Sequence, residues 1–460
     1  MRYKIDYEKR IKELLGSENK QYTYYIETMG CALNENDSMK YAGIFEEMGF
    51  IKATDINTAN VVLFNTCCIR ENAEDKLFGR LGLLKSRKIG NKDMYIAIVG
   101  CMTEQGHILE KIKKSYSFVD VVLGTKSMQY FAEKLYNAIK NKKKTQEIQD
   151  NEHEIVEDVP IKYEEGYKAS ISIIYGCNNF CSYCIVPYVR GRERSRLPED
   201  IIKDVKEVAS KGYKEITLLG QNVNSYGNDF KNTKYTFVDL LKEIEKIEGI
   251  DVIRFVSPHP KDFTDELIDQ IAISKKIAKQ IHLPLQSGST KILEAMNRKY
   301  TKEHFLSLVE KIRKKVNQVS FSTDIIVGFP GETEEDFLDT MDVVEQVRFD
   351  QIYMFCYSIR RGTRAERMEN QIDEKIKVER LERLKQLFEK IIDEENEKKV
   401  GSIQNILVEG VSKNNPNMYT GRTLDNKVVV FEGLIKDIGK MKKIEIVKNN
   451  KWYLTGKIIE

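Results

Sequence analysis

Between Tyr22 and Asn141 short apolar, β-rich runs alternate with segments of helical period. Tyr22–Glu27, Ala59–Asn65, Met94–Val99 and Val119–Leu123 read as strands, each followed by a candidate helix. Strands that alternate with helices pair in parallel, because a parallel neighbour is reached only through a crossover of a dozen or more residues. The chain therefore opens with a parallel α/β sheet. Lys140 to Glu165 follows, with Lys142, Lys143 and Lys144 in a row and many acidic residues, and reads as an exposed linker. The alternation then resumes with strands at Ala169–Tyr175, Glu215–Leu219, Val252–Val256, Gln280–Leu285, Ser320–Val327 and Gln351–Tyr357, as expected for a partial (β/α)6 barrel. Pro198 with Glu199 and Asp200, and Thr333 with Glu334, Glu335 and Asp336, suit first helical turns, and Gly212 suits the end of the first of these helices.

Glu374 to Val400 predicts one long charged helix, with Leu381, Leu384, Leu387, Phe388 and Ile391 on a periodic face. From Ser402 onward only short strand-like runs remain, at Ile403–Val408, Val428–Phe431, Lys443–Val447 and Trp452–Thr455. They are broken by Gly410, Asn414-Asn415-Pro416, Gly421 and Gly433, and read as a small all-β barrel. A chain of 460 residues needs two or three cores. The expected division is an α/β domain over 20–141, a linker over 142–165, a barrel with its connecting helix over 166–400 and a β-domain over 401–460.

The 74 basic and 71 acidic residues nearly cancel, so net charge says little about partners. The first twenty residues are studded with charge and the apolar runs are strand-length, which argues against secretion and membrane insertion and for a cytoplasmic protein. In a reducing compartment eight cysteines point to metal or catalysis rather than to disulfides.

Directly after the first barrel strand comes Gly176-Cys177-Asn178-Asn179-Phe180-Cys181-Ser182-Tyr183-Cys184, a C-x-x-x-C-x-x-C pattern at a strand's C-terminal end. Three thiolates in eight residues leave a zinc ion, or one iron of a 4Fe-4S cluster, with an open position. The nearest histidines, His153 and His259, are distant in sequence, which disfavours a structural zinc.

This motif resembles the radical S-adenosylmethionine (SAM) superfamily, with Tyr183 at the aromatic position. The resemblance implies a cluster on Cys177, Cys181 and Cys184 whose open iron chelates SAM, and which when reduced splits it to a 5'-deoxyadenosyl radical. It also places Tyr183, Gln221 (in Leu219-Gly220-Gln221-Asn222), Asp324 and Gly328 (in Asp324-Ile325-Ile326-Val327-Gly328-Phe329-Pro330-Gly331-Glu332) where SAM is held. The plainer reading of these segments is as strand-to-helix turns that need Gly and Pro for their geometry.

Cys31, Cys67 and Cys101 each close an expected strand of the first sheet, in Met29-Gly30-Cys31, Asn65-Thr66-Cys67 and Val99-Gly100-Cys101, 36 and 34 residues apart. The C-terminal ends of parallel strands share one edge, so these three can converge on a second cluster. Singly, each could be a small core residue. Spacing does not choose between Cys67 and Cys68, and Cys356, inside Met354-Phe355-Cys356-Tyr357, reads as core packing.

Two such sets in this order resemble the methylthiotransferases, from about Tyr22 to Glu460, and Asn65-Thr66-Cys67-Cys68-Ile69-Arg70 is similar to that family's N-T-C-x-I-R signature, which selects Cys67. The resemblance implies two 4Fe-4S clusters with SAM as cofactors: the Cys177 cluster makes the radical, and the Cys31 cluster carries a sulfur that a first SAM methylates. The radical serves because a ring C–H such as that on carbon 2 of adenine is not acidic enough for positioned acid–base groups. No side chain beyond the cluster ligands is assigned a catalytic step.

Val400 to Glu460 carries ten Lys or Arg against six Asp or Glu, with Tyr419, Trp452 and Tyr453 as candidate stacking residues, and resembles a TRAM domain, which implies RNA binding. Arg190-Gly191-Arg192-Glu193-Arg194-Ser195-Arg196 could meet phosphates or form local ion pairs. Gly220-Gln221-Asn222-Val223-Asn224, His282-Leu283-Pro284-Leu285-Gln286-Ser287-Gly288-Ser289 and Ser412-Lys413-Asn414-Asn415-Pro416 look like the branch acting on N6-dimethylallyladenosine next to the tRNA anticodon. The expectation is therefore a monomeric tRNA methylthiotransferase served by a reducing electron-donor protein. Its rivals are sibling branches acting on threonylcarbamoyl-adenosine or a ribosomal protein, a non-catalytic iron-sulfur RNA-binding protein, and a zinc-bound one.

Overall fold

Residues of the central strands alternate between two cores, one on each face of the first sheet. The computed structural model describes residues 1–68, 73–147, 155–164, 166–423 and 425–459. Strands β1 (Thr23–Met29), β2 (Ile51–Lys52), β3 (Val61–Thr66), β4 (Tyr95–Gly100), β5 (Val121–Leu123) and β6 (Thr145–Glu147) form one parallel sheet of order β2-β1-β3-β4-β5-β6. Tyr24, Val61, Leu63, Tyr95, Ala97 and Val99 pack on one face beneath helices Tyr7–Ser17, Ala32–Glu47 and Phe131–Asn141. Val62, Phe64, Ile96 and Ile98 pack on the other beneath Ala73–Gly90 and Gly106–Ser115. A sheet covered on both faces is the doubly wound arrangement, whose ligands bind where the strand order reverses, here between β1 and β3.

Two elements go beyond the sequence reading. The charged N-terminus holds the helix Tyr7–Ser17, which buries Ile11 and Leu15, and the supposed linker supplies β6 to the sheet edge. Nor is that linker simply exposed: the Glu157 carboxylate is buried and accepts from Arg196 Nε at 2.9 Å, and a Cβ on Gly43 would come within 2.4 Å of the Pro160 backbone.

The chain separates into two compact units, residues 1–165, 170–178 and 185–200 in the first and 166–169, 179–184 and 201–460 in the second. In the first unit β8 (Ile174–Tyr175) pairs antiparallel with β9 (Arg194–Ser195), after β7 (Lys168–Ser172). The barrel strands are β7, β10 (Glu215–Leu219) and β11 (Val252–Phe255), in the order β11-β10-β7, and β12 (Gln280–His282), β13 (Ser320–Val327) and β14 (Gln351–Cys356), in the order β12-β13-β14. A parallel bridge from Ile253 to Ile277 joins the two sheets into the expected partial barrel. The helices begin as their sequences indicate. Pro198–Ser210 starts at its proline, and Glu334–Val347 carries a full capping box between Thr333 and Asp336.

The helix Glu374–Glu397 buries Leu384, Phe388 and Ile391 and leads into a closed barrel of β15 (Ile403–Ser412), β16 (Asn415–Thr423), β17 (Val428–Glu432), β18 (Met441–Asn449) and β19 (Leu454–Ile458), in the order β15-β16-β17-β19-β18. The sequence reading takes β16 for a break because of Asn415-Pro416 and Gly421. In the barrel Gly421 is needed for closure, since a Cβ there would lie 2.5 Å from Ile406 Cγ2. Among the described residues no helix is long and apolar enough to cross a membrane.

Candidate metal centres

The first centre grows out of three strand ends. Strand β1 runs out at Met29, Gly30 turns the chain, and Cys31 becomes the N-cap of helix Ala32–Glu47. Gly30 is required because a Cβ would sit 2.5 Å from Asn34, whose amide bonds Asn65 Oδ1 at 2.8 Å and the Thr66 carbonyl at 3.1 Å. Asn65 returns the bond to the Asn34 carbonyl at 2.7 Å, so the ends of β1 and β3 are locked together just below Cys31 and Cys67. Gly100 has φ +102°, and a Cβ would meet the Thr66 carbonyl oxygen at 2.4 Å, so only glycine can deliver Cys101 from β4. The M-G-C and V-G-C motifs are thus the backbone's means of presenting thiols at one sheet edge.

Cys67 and Cys101 are buried, and Cys31 and Cys68 are half-buried. A hydrogen bond from Cys67 holds the Cys31 thiol down at about 5, helped by Arg190 and by the backbone N–H groups at the start of its helix. Cys68 pairs instead with Cys101. That bond pushes the Cys68 thiol up and the Cys101 thiol down. Four thiols therefore gather where the sequence reading expects three. Ile69 and Arg70 of the N-T-C-x-I-R signature lie outside the described residues.

The buried cation at this centre is Arg190, six residues beyond Cys184. Its Nε donates to Cys101 Sγ at 3.1 Å and its Nη2 to Asp37 Oδ2 at 3.1 Å, while Ile185 and Val189 pack against Cys101. The basic run does not present a uniform face to phosphates. Arg190 and Arg196 are buried on Asp37 and Glu157, Arg194 bonds the Arg190 carbonyl at 2.9 Å, and Arg192 alone of the four is exposed.

The second set follows β8. Gly176, with φ +75°, lies against the Arg192 carbonyl, and the buried Cys177 donates its N–H to the Gly191 carbonyl at 3.1 Å. In the second unit Cys181 is buried, and the Cys184 N–H bonds the Cys181 carbonyl at 2.9 Å. The turn Met296-Asn297-Arg298 holds this part of the loop: Asn297 Nδ2 donates to the Asn179 and Phe180 carbonyls at 2.9 and 3.0 Å, and Ser182 N–H donates to the Met296 carbonyl at 2.9 Å. Buried Arg298 directs Nη1 at Cys181 Sγ, 3.5 Å away, and is fixed by the Pro284 carbonyl and Tyr300. The sequence marks Arg190 only as part of an arginine run, and Arg298 not at all. Each meets its cysteine across about a hundred residues, 89 and 117.

Among the described residues no group of three or more Cys, His, Asp or Glu side chains is set as tightly as a single metal ion requires. An iron-sulfur cluster holds its thiolates on different irons, more widely spaced than donors around one ion. The donor chemistry suits it: soft thiols alone at three strand ends, with a buried guanidinium to offset their charge.

The residues expected along SAM fall at several places in the second unit. Tyr183 packs partly buried against Ile292, Met296, Phe329 and Tyr357. Gln221 follows β10 and is half-buried. Asp324 lies half-buried on β13, its carboxylate 3.3 Å from His282 Nε2 on β12, and Tyr353 on β14 lies edge-on to that imidazole. Gly328, with φ +72°, has a local reason to be glycine, because a Cβ would strike Lys377 Cγ at 2.3 Å. Its N–H bonds Glu332, which is held in turn by Arg380 at 2.7 Å. Cys356, read as core, is half-buried on β14, whose opposite face exposes Tyr353 and Phe355. On the C-terminal barrel Trp452 and Tyr453 are exposed, while Tyr419 packs partly against the barrel core.

Three family models match the chain: Radical SAM superfamily over residues 171–344, Uncharacterized protein family UPF0004 over 23–124, and TRAM domain over 397–459. A tRNA-2-methylthio-N(6)-dimethylallyladenosine synthase of Acetivibrio thermocellus is 47% identical over 455 residues, 99% of this chain and 94% of that protein. A protein of the same name from Thermoanaerobacter pseudethanolicus is 48% identical over 454 residues, 98% and 96% of the two chains. Among solved structures, the radical S-adenosylmethionine methyltransferase TsrM of Kitasatospora setae, with cobalamin and a 4Fe-4S cluster bound, superposes with a TM-score of 0.55 at 14% identity over 75% of this chain and 74% of that one, a likeness of fold.

Proposed function

The chain belongs to the family of tRNA-2-methylthio-N(6)-dimethylallyladenosine synthases, and on that premise we propose that it is a radical SAM methylthiotransferase converting N6-dimethylallyladenosine beside the tRNA anticodon to its 2-methylthio derivative. The observation that carries the reading is the gathering of Cys31, Cys67 and Cys101 at the switch point of the first sheet, in a chain that also carries the radical SAM cysteine loop. The family's cofactors are SAM and 4Fe-4S clusters. In this reading Cys31, Cys67 and Cys101 hold one cluster, Cys177, Cys181 and Cys184 the other, and Tyr183, Gln221, Asp324 and the loop at Gly328 lie along SAM.

When bound, the clusters supply the electron that cleaves SAM and the sulfur that is transferred. The chain's own residues position and shield. Arg298 steadies Cys181 and ties it to the Pro284 carbonyl, and His282 orients the Asp324 carboxylate. The closed β-barrel, with Trp452 and Tyr453 exposed, is the RNA-binding module, and tRNA is the macromolecular partner. In this reading the enzyme divides into an α/β domain over 20–141, a linker over 142–165, the radical SAM core over 166–400 and the TRAM domain over 401–460. It works as a cytoplasmic monomer that takes electrons from a reducing donor protein.

Anaerobic reconstitution tests this directly, with iron and sulfide analysis followed by SAM, dithionite and dimethylallyl-adenosine tRNA, and nucleosides read by mass spectrometry. About eight irons per chain and a methylthio nucleoside are expected. SAM cleavage with product only on threonylcarbamoyl-adenosine tRNA would move the substrate to a sibling branch. Zinc in place of iron, or no SAM cleavage, would overturn the enzyme.

A further inference from the structure

The Arg190 guanidinium is buried, reaches the thiol site from a segment far away in sequence, and has two of its nitrogens committed: Nε to Cys101 Sγ at 3.1 Å and Nη2 to Asp37 at 3.1 Å. Asp37 lies on the helix that Cys31 caps, so one side chain spans the end of β4 and the helix that leaves β1. The strap that delivers it is itself fixed within the first unit, by Thr125 Oγ1 on the Val189 carbonyl at 2.9 Å and by the Arg196–Glu157 pair. Such a construction exceeds what packing requires, since a buried cation is costly unless its partners carry negative charge.

We propose that Arg190 is a positioning residue for the cluster on Cys31, Cys67 and Cys101: it donates an N–H···S bond to the Cys101 ligand, offsets the charge of the thiolates, and raises the potential at which that cluster accepts one electron. The inference rests on the assignment of those three cysteines as ligands. An N–H donor to a ligand sulfur, and a positive charge beside it, both favour the more electron-rich state of a cluster. The planar fork matters as well as the charge: a lysine could supply the cation, but it could not serve Cys101 and Asp37 in the same geometry.

The test uses the full chain with Cys177, Cys181 and Cys184 replaced by alanine, so that only the first cluster assembles, and follows its reduction by dithionite with electron paramagnetic resonance. Arg190→Gln is expected to move the midpoint to more negative potential with the iron content unchanged, and Arg190→Lys to fall between it and the parent. Should the glutamine variant lose the cluster, Arg190→Lys still carries the measurement, with a midpoint below the parent's. An intact cluster whose midpoint is the same in parent, glutamine and lysine forms would overturn the role of Arg190 alone. A parent that assembles no cluster would overturn the ligand assignment as well.

Discussion

Cys67 and Cys68 are neighbours in sequence, yet Cys67 hydrogen-bonds Cys31 and Cys68 hydrogen-bonds Cys101. Cys67 directly follows Thr66, which accepts from the Asn34 amide and donates to the Val99 carbonyl, so it is the thiol that the locked end of β3 holds beside Cys31. Cys67→Ala is therefore expected to lose about half of the iron of the reconstituted protein, and Cys68→Ala to keep it in full, as read by iron and sulfide analysis. The reverse pattern would make Cys68 the ligand. At this scale the cysteines were legible because glycine before Cys31 and Cys101, and a strand before each, are local signals. Arg190 and Arg298 were not, because only the fold brings a distant arginine to a thiol. The arginine run 190–196 offered charge without direction: nothing local distinguishes Arg190 and Arg196, which are inside, from Arg192, which is outside.

The element that best shows its physics is the helix Glu334–Val347. Thr333 and Asp336 form its capping box, and Asp336 also receives Ser289 Oγ and Lys291 Nζ, each at 2.7 Å. The Ser287-Gly288-Ser289 turn is thereby pinned to the helix, with Gly288 so close to Thr340 that a Cβ would meet it at 2.5 Å. Burial alone would raise the Asp336 carboxyl, but the hydrogen bonds from Lys291, Ser289 and Thr333 hold it at about 2. A carboxyl depressed in the folded state stabilises the protein above its unfolded pKa of about 4 and loses that contribution as pH falls through the folded value. Asp336→Asn is expected to cost about 2 kcal/mol at pH 7, a gap that closes between pH 4 and pH 2, as followed by thermal melts of both proteins. Unequal capping explains which elements could be read. A box such as Thr333 to Asp336 is visible in sequence, whereas β6 is a three-residue edge strand among charged residues and β16 contains Pro416 and Gly421, so neither carries the pattern of a strand.

For the molecule as a whole, the first cysteine set belongs to one unit and the second is divided, with Cys177 in the first unit and Cys181 and Cys184 in the second. Cys31, Cys67 and Cys101 belong to a doubly wound sheet locked by Asn34, Asn65 and Thr66, whereas Cys181 and Cys184 are held by the Met296-Asn297-Arg298 turn. The alternation of strands and helices made both α/β scaffolds legible, since the period and the crossover rule leave little choice of topology, but it could not show that residues 185–200 return to the first unit after the cysteine loop. Because the two sets share no cysteine, loss of one should leave the other able to fill. The variant with Cys31, Cys67 and Cys101 replaced by alanine is expected to retain about four irons and still cleave SAM, without forming methylthio product. The variant lacking Cys177, Cys181 and Cys184 should also retain about four irons but neither cleave SAM nor form product. Both are read by iron analysis, by chromatography of 5'-deoxyadenosine and by nucleoside mass spectrometry. Loss of SAM cleavage in the first variant at full iron occupancy of the remaining set would show that the sheet site also shapes the radical chemistry.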